Sequence, residues 1–215
     1  TTKGLTKTGS NTLTLTGVNE YSGRTIIQQG KILISGGGGI IGTSTIHSGA
    51  TLGGSGGTTG AVAVSNGGIL SPGASIGTLN TGSVSLAAGS VLNIEFDHSY
   101  MPIDLSHMTT DLLKIDGDIN LFELAQLNIA NIGADVPIAD GTTITFLTYT
   151  GSWNLGTFEG LDDDSVFGVG TNSFRISYDG VDGNQKAFTL TTVPEPSSAS
   201  FLCLGAMVIF LRRRR

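Results

Sequence analysis

The residues of this 215-residue chain best suited to acid/base or metal chemistry are its three histidines, His47, His98 and His107. His98 and His107 lie close in sequence to Asp97, Asp104 and Asp111. That composition suits a metal or proton-transfer cluster, but the spacing fits no metal-ligand motif, and a polar loop is the plainer reading. Asp162-Asp163-Asp164 and the Asp179-to-Asn184 segment offer hard oxygen donors to Ca²⁺. Neither has the EF-hand spacing, and Asp-Gly pairs are ordinary turn chemistry. Gly37-Gly38-Gly39-Ile40-Ile41-Gly42 satisfies G-x-G-x-x-G. A dinucleotide site also needs a helix at the last glycine and an acid about 20 residues on, where Ala61–Val64 stand instead. The single cysteine, Cys203, lies in an apolar run, which excludes a disulfide framework. Trp153, with Tyr149 and Phe158, reads either as a sugar-stacking platform or as core packing. No catalytic residue, cofactor site or metal site is assigned from these patterns.

The elements that would position such residues are short strands. Glycine accounts for 33 of 215 residues and charged residues for only 13%, while 39% are hydrophobic. This composition excludes disorder, and the glycines lack the collagen period. An apolar residue, a glycine three later and an aliphatic residue three later again recur as Ile27–Gly30–Leu33, Ile46–Gly49–Leu52, Val64–Gly67–Leu70 and Leu86–Gly89–Leu92. Leu121 and Leu127 form a weaker copy without the glycine. One copy is too small to bury its own apolar face, so the repeat predicts stacked coils, a parallel β-solenoid over residues 1–130, with glycines at the corners.

Charge divides the chain. Residues 1–94 carry a net +3 and residues 95–192 a net −12. No basic patch exists outside the C-terminus, which argues against a nucleic-acid partner. Aromatic residues are frequent from Phe96 onward, whereas Tyr21 is the only one before it. Thr143–Tyr149, Ser173–Tyr178 and Lys186–Thr192 read as strands, and the Asp-Gly pairs at 179–180 and 182–183 as hairpin chemistry. Residues 131–192 are therefore expected to form a β cap that closes the solenoid edge. Asp104–Leu113 is the one candidate for a short helix or irregular loop in the acidic block 95–192.

The last segment, 193–215, contains Pro194-Glu195-Pro196, an apolar run Ala199–Leu211, and Arg212, Arg213, Arg214 and Arg215. A short hydrophobic helix with snorkelling arginines is expected there, although a full membrane span wants about 20 residues. The three elements in this order resemble the PEP-CTERM sorting signal of Gram-negative bacteria. The resemblance implies an exosortase, a membrane transpeptidase, as partner, with Pro194, Glu195 and Pro196 as recognition element. It further implies transient inner-membrane insertion through Ala199 to Leu211 and a stop at Arg212–Arg215.

Gly4–Gly9, Thr12–Gly17, Tyr21–Gly23 and Thr25–Gly30 look like the autotransporter-associated β-strand repeat, and Leu70–Leu79 resembles the segment that follows it in passenger-type β-helices. The resemblance implies an exported β-helix at the cell surface, generally without catalysis. Together these readings point to a non-catalytic surface or matrix protein, structural or adhesive. A glycan-binding adhesin with extracellular polysaccharide as partner is the first alternative, and a polysaccharide-active β-helix enzyme the second. The start at Thr1-Thr2-Lys3 lacks a secretory leader, so upstream coils are expected to be missing and the first coil to carry an unfilled face.

Overall fold

The computed structural model describes residues 3–98 and 109–194. Every helix or strand among them is a strand, as the Thr-, Val-, Ile- and Gly-rich segments require. The strands wind into a three-sided parallel β-solenoid. Its first side stacks β1 (Leu5–Lys7), β4 (Thr25–Ile27), β7 (Ser44–Ile46), β10 (Val62–Val64), β13 (Val84–Leu86) and β17 (Ile119–Leu121). The second stacks β2 (Thr12–Leu15), β5 (Gly30–Ser35), β8 (Ala50–Ser55), β11 (Ile69–Pro72), β14 (Val91–Asp97) and β18 (Gln126–Asn131). The third begins with β3 (Val18–Asn19), β6 (Gly39–Ile40), β9 (Gly57–Thr59), β12 (Thr78–Thr81), β16 (Leu112–Ile115) and β19 (Thr143–Tyr149). All of these neighbours pair in parallel, so six coils satisfy one another's backbone groups.

In-register stacking turns single residues into ladders. Ile27, Ile46, Val64, Leu86 and Leu121 align on the first side, and Ile32, Leu52, Leu70 and Leu92 on the second. Each is at most 2% exposed, which stabilises the stack by about 1.5–3 kcal/mol per side chain. The ladder corrects one assignment of the sequence pattern. Ile32, not Leu33, occupies the inward position, because Gly30 pairs with Ala50 rather than with Gly49. The corner of the second coil is one residue shorter, and Leu33 turns outward. At the head of the first ladder stands Lys7, buried in register with Ile27. Its ammonium donates to the carbonyls of Thr8 (2.9 Å), Gly9 (2.6 Å) and Gln29 (3.2 Å). The other inward residues of the first coil, Leu5, Leu13 and Leu15, are only half-buried.

The weaker copy at Leu121 and Leu127 is a true continuation. Gly49, Gly67 and Gly89 turn their corners at φ 73°, 70° and 71°, and Leu124 turns the next at 67°. Successive corners are tied by N–H to carbonyl bonds from Gly49 to Gly67, Gly67 to Gly89 and Gly89 to Leu124, each 2.8 Å. A leucine thus holds a left-handed conformation that costs a residue with a Cβ about 1–2 kcal/mol. Leu124→Gly is expected to stabilise the fold by about 0.5–1 kcal/mol after glycine's entropy is counted. Tm should rise by about 2 °C in a thermal melt.

Two later excursions interrupt the coil rhythm. Asp104 to Met108 lie outside the described residues, but the rest of the expected helix or loop is strand: β15 (Thr109–Thr110) pairs antiparallel with the end of β14, and Leu112 and Leu113 open β16. The change of character expected near residue 130 falls inside the sixth coil, whose third side is β19. Beyond it, β20 (Val166–Val169), β21 (Asn172–Asp182) and β22 (Gln185–Val193) add to the third side as an antiparallel ribbon. Asp182 pairs with Gln185 across a two-residue turn in which Gly183 has φ 60°. The Asp179-Gly180 pair is not a turn but sits at a bulge within β21.

The ribbon closes the stack with aromatic rings. Phe96 of the solenoid meets Phe174 of the ribbon at 5.7 Å and 70°, and Tyr178 lies 4.9 Å from Phe188. These edge-on contacts seal the interior where the aliphatic ladders end. No helix of the described residues is long and apolar enough to cross a membrane.

Candidate functional site

The sorting segment leaves the fold from a pinned strand. Val193 pairs with Ser173, and the Thr192 hydroxyl donates to the Ala139 carbonyl (2.6 Å) while accepting the Thr142 N–H (2.9 Å). Pro194 is the last described residue. Glu195, Pro196, Arg212, Arg213, Arg214 and Arg215, with the Ala199–Leu211 run and the short helix expected there, lie outside the described residues.

Only part of the histidine and aspartate group near position 100 falls among the described residues. His107 and Asp104 lie outside the described residues, and His98 is buried with Nδ1 unpartnered. Among the described residues, no three His, Cys, Asp or Glu side chains could hold one metal ion. Asp111 has a different role. It is fully buried, and its two carboxylate oxygens accept the N–H of Gly77 (2.8 Å) and of Glu95 (3.0 Å). One side chain thereby staples the Pro72-to-Gly77 turn to the second side of the solenoid. Burial lifts its pKa from 3.8 to about 7; the two accepted hydrogen bonds pull it down, the Glu95 charge adds to the rise, and Lys31 opposes it. The sequence, which suggested a polar loop around Asp111, carried no sign of the staple, because Gly77 lies 34 residues away.

Trp153 is built into the cap interior. Its indole stacks on Tyr178 at 5.5 Å and 10°, and its N–H donates to the Gly156 carbonyl (2.8 Å). Tyr149 and Phe158 are buried and Trp153 is half-buried, packed against the core. The acidic triplet is also engaged in the fold. Asp163 accepts the Tyr178 N–H (3.1 Å), and Asp164 turns the chain at φ 64°. Asp179 accepts the Ser177 hydroxyl (2.7 Å). The glycine run at 37–42 forms the second-to-third-side corner and β6, with Gly38 closing a turn to the Ser35 carbonyl (2.9 Å). It opens no helix.

Outward ladders form the remaining surfaces. On the first side Thr45, Ala63, Ser85 and Asn120 align beneath a shallow groove of about 330 Å³. On the third side Asn80, Lys114 and Thr148 align in a more polar groove of about 480 Å³ that Asp116 and Gln185 also line. Thr150 donates to Asp116 (3.0 Å), and the buried Thr148 hydroxyl has no partner. Asparagines bridge coils at a corner (Asn66 to Ala88), on the third side (Asn80 to Gly57) and on the second (Asn128 to Asn93).

Fold and tail together define a three-sided parallel β-solenoid that carries a C-terminal sorting motif. Residues 5–34 match the passenger-associated-transport-repeat, and residues 192–215 match the PEP-CTERM protein-sorting motif. The first match covers the coil pair β1–β5, where the ladders begin. The chain is also similar to an extracellular serine protease of Serratia marcescens, 43% identical over 77 residues. That stretch is 36% of this chain, which spans only 7% of the length of the relative.

Proposed function

We propose that the chain is an exported, non-catalytic structural or adhesive module, processed at the inner membrane by an exosortase-type membrane enzyme that reads its C-terminal sorting motif and then delivered to the cell surface or matrix. The observation that carries this reading is the pairing of a passenger-type repeat with a sorting motif across one coil stack held in register from Leu5 to Tyr149. Continuous backbone pairing makes the stack a stiff spacer. Its outward ladders of Thr, Ser, Ala and Asn offer hydroxyl and amide groups to neighbouring polymers. The proteolytic name of the Serratia relative belongs to a protein of which this chain covers a small part. No catalytic step is proposed for this chain.

Deleting Pro194–Arg215 is expected to abolish surface delivery while leaving the melt of residues 4–192 unchanged. Surface labelling of intact cells, read beside circular dichroism of the purified chain, tests both halves. Unchanged display after the deletion overturns the sorting role. A glycan-binding adhesin is the second reading, favoured by the third-side groove, where Lys114, Asp116, Asn80 and Gln185 converge. A glycan array in which wild type binds and Lys114→Ala does not would support it.

A further inference from the structure

Only three non-glycine residues among the described ones hold a left-handed backbone: Leu124 (φ 67°), Leu155 (φ 62°) and Asp164 (φ 64°). Two are leucines, the most awkward kind of residue for that conformation after the β-branched ones, and both are exposed, by 57% and 76%. They line the same cavity, of about 450 Å³, at the closed end of the solenoid. At Leu124 the left-handed backbone continues the corners of Gly49, Gly67 and Gly89, but the corner does not need a large apolar side chain held in solvent. Such outliers persist where they hold a side chain for a partner.

The rim states the chemistry of that partner. Glu123, Glu159 and Asp162 surround the two leucines, and among the described residues no lysine or arginine lines the cavity. An apolar floor with a carboxylate rim fits an apolar segment followed at once by cations. The chain carries such a segment. Phe210-Leu211 is followed by Arg212–Arg215, the densest positive charge in a chain whose residues 95–192 are strongly acidic. The 17 residues from Glu195 through Leu211 reach at most about 60 Å, while six coils stack to only about 29 Å. The tail therefore reaches the cavity from its exit at β22.

We infer that the cavity between Leu124 and Leu155 is a cradle for the chain's own C-terminus: Phe210-Leu211 enter it and Arg212–Arg215 lie on the carboxylate rim. The docked state shields the apolar run until a membrane competes for it. The inference concerns the tail before any membrane or processing enzyme takes hold, and it stands independently of where the chain is delivered.

The chain supplies its own probes, since Trp153 is the only tryptophan and Cys203 the only cysteine. A dansyl-type acceptor on Cys203 of the full-length protein reports the approach of the tail to Trp153, two residues from Leu155. Trp153 emission is expected to fall at least twofold in low salt. It should recover in 1 M NaCl, where charge attraction is screened beyond about 3 Å. Leu124→Gly, which relieves backbone strain, and the triple variant Glu123→Gln, Glu159→Gln, Asp162→Asn should each release the tail. A variant that is more stable yet loses the quenching separates docking from folding. Quenching that ignores salt and both variants overturns the inference, as does its absence in the wild type. Quenching that fades on dilution overturns it too, because the occupant is then the tail of a second copy.

Discussion

Tyr178→Ala is expected to unfold the cap while the solenoid stays wound. Tyr178 is fully buried, lies parallel to Trp153 at 5.5 Å and meets Phe188 edge-on at 4.9 Å. Its hydroxyl donates to the Leu161 carbonyl (2.6 Å) and accepts the Phe158 N–H (3.0 Å), tying the 158–161 turn to β21. Burial is also the main reason its phenol is held protonated well above the usual tyrosine range. Removing the ring leaves a cavity worth about 3–5 kcal/mol. The two orphaned backbone groups add about 1–3 kcal/mol each. A loss of that size exceeds what an antiparallel ribbon at the end of a stack can spare, whereas the coils are supported by their own neighbours. Trp153 fluorescence reports the cap and far-ultraviolet circular dichroism the coils. The urea transition of Trp153 should move to lower concentration and separate from the dichroism transition. Tyr178→Phe, which keeps the ring, should lose only the hydroxyl's two bonds, about 1–3 kcal/mol for each orphaned backbone group. Coincident transitions in Tyr178→Ala would show that cap and coils fold as one unit.

The stacked architecture was legible because its signal is local and repeated. Ile46–Gly49–Leu52, Val64–Gly67–Leu70 and Leu86–Gly89–Leu92 are in register in the structure as the spacing implies. The same logic slipped by one residue at Leu33, because a corner can shorten without leaving a mark in the apolar pattern. At Leu124 a corner persists without its glycine, since hydrogen bonds from the neighbouring coil hold the turn that glycine would otherwise favour. The candidate cradle was invisible for that reason: Leu124 and Leu155 look like ordinary apolar residues until their backbone angles are known. Lys7 was equally opaque, because a lysine in an aliphatic ladder is tolerable only where three carbonyls converge on it. The sorting segment is the opposite case, legible from residue order alone and owing nothing to the fold.

Asp111→Ala should be the second large loss, and its pH dependence identifies the cause. The alanine leaves the Gly77 and Glu95 N–H groups without their acceptor, a cost of about 1–3 kcal/mol each. It also frees the strand pair at β14 and β15 from the Pro72-to-Gly77 turn. In the wild type the folded-state pKa of about 7 lies above the unfolded value of 3.8. The folded chain therefore keeps a proton that the unfolded chain has given up between those values. The stability contributed by that proton is complete below about pH 4 and is lost as pH rises through about 7. The slope cannot exceed about 1.4 kcal/mol per pH unit for one group. Urea midpoints of the wild type should accordingly fall between pH 4.5 and 7.5. Asp111→Asn, neutral throughout, should flatten that fall and cost less than the alanine, because its carbonyl oxygen still accepts one N–H. A wild-type midpoint that rises over the same interval would mean that the two backbone N–H groups stabilise the carboxylate more than burial penalises it.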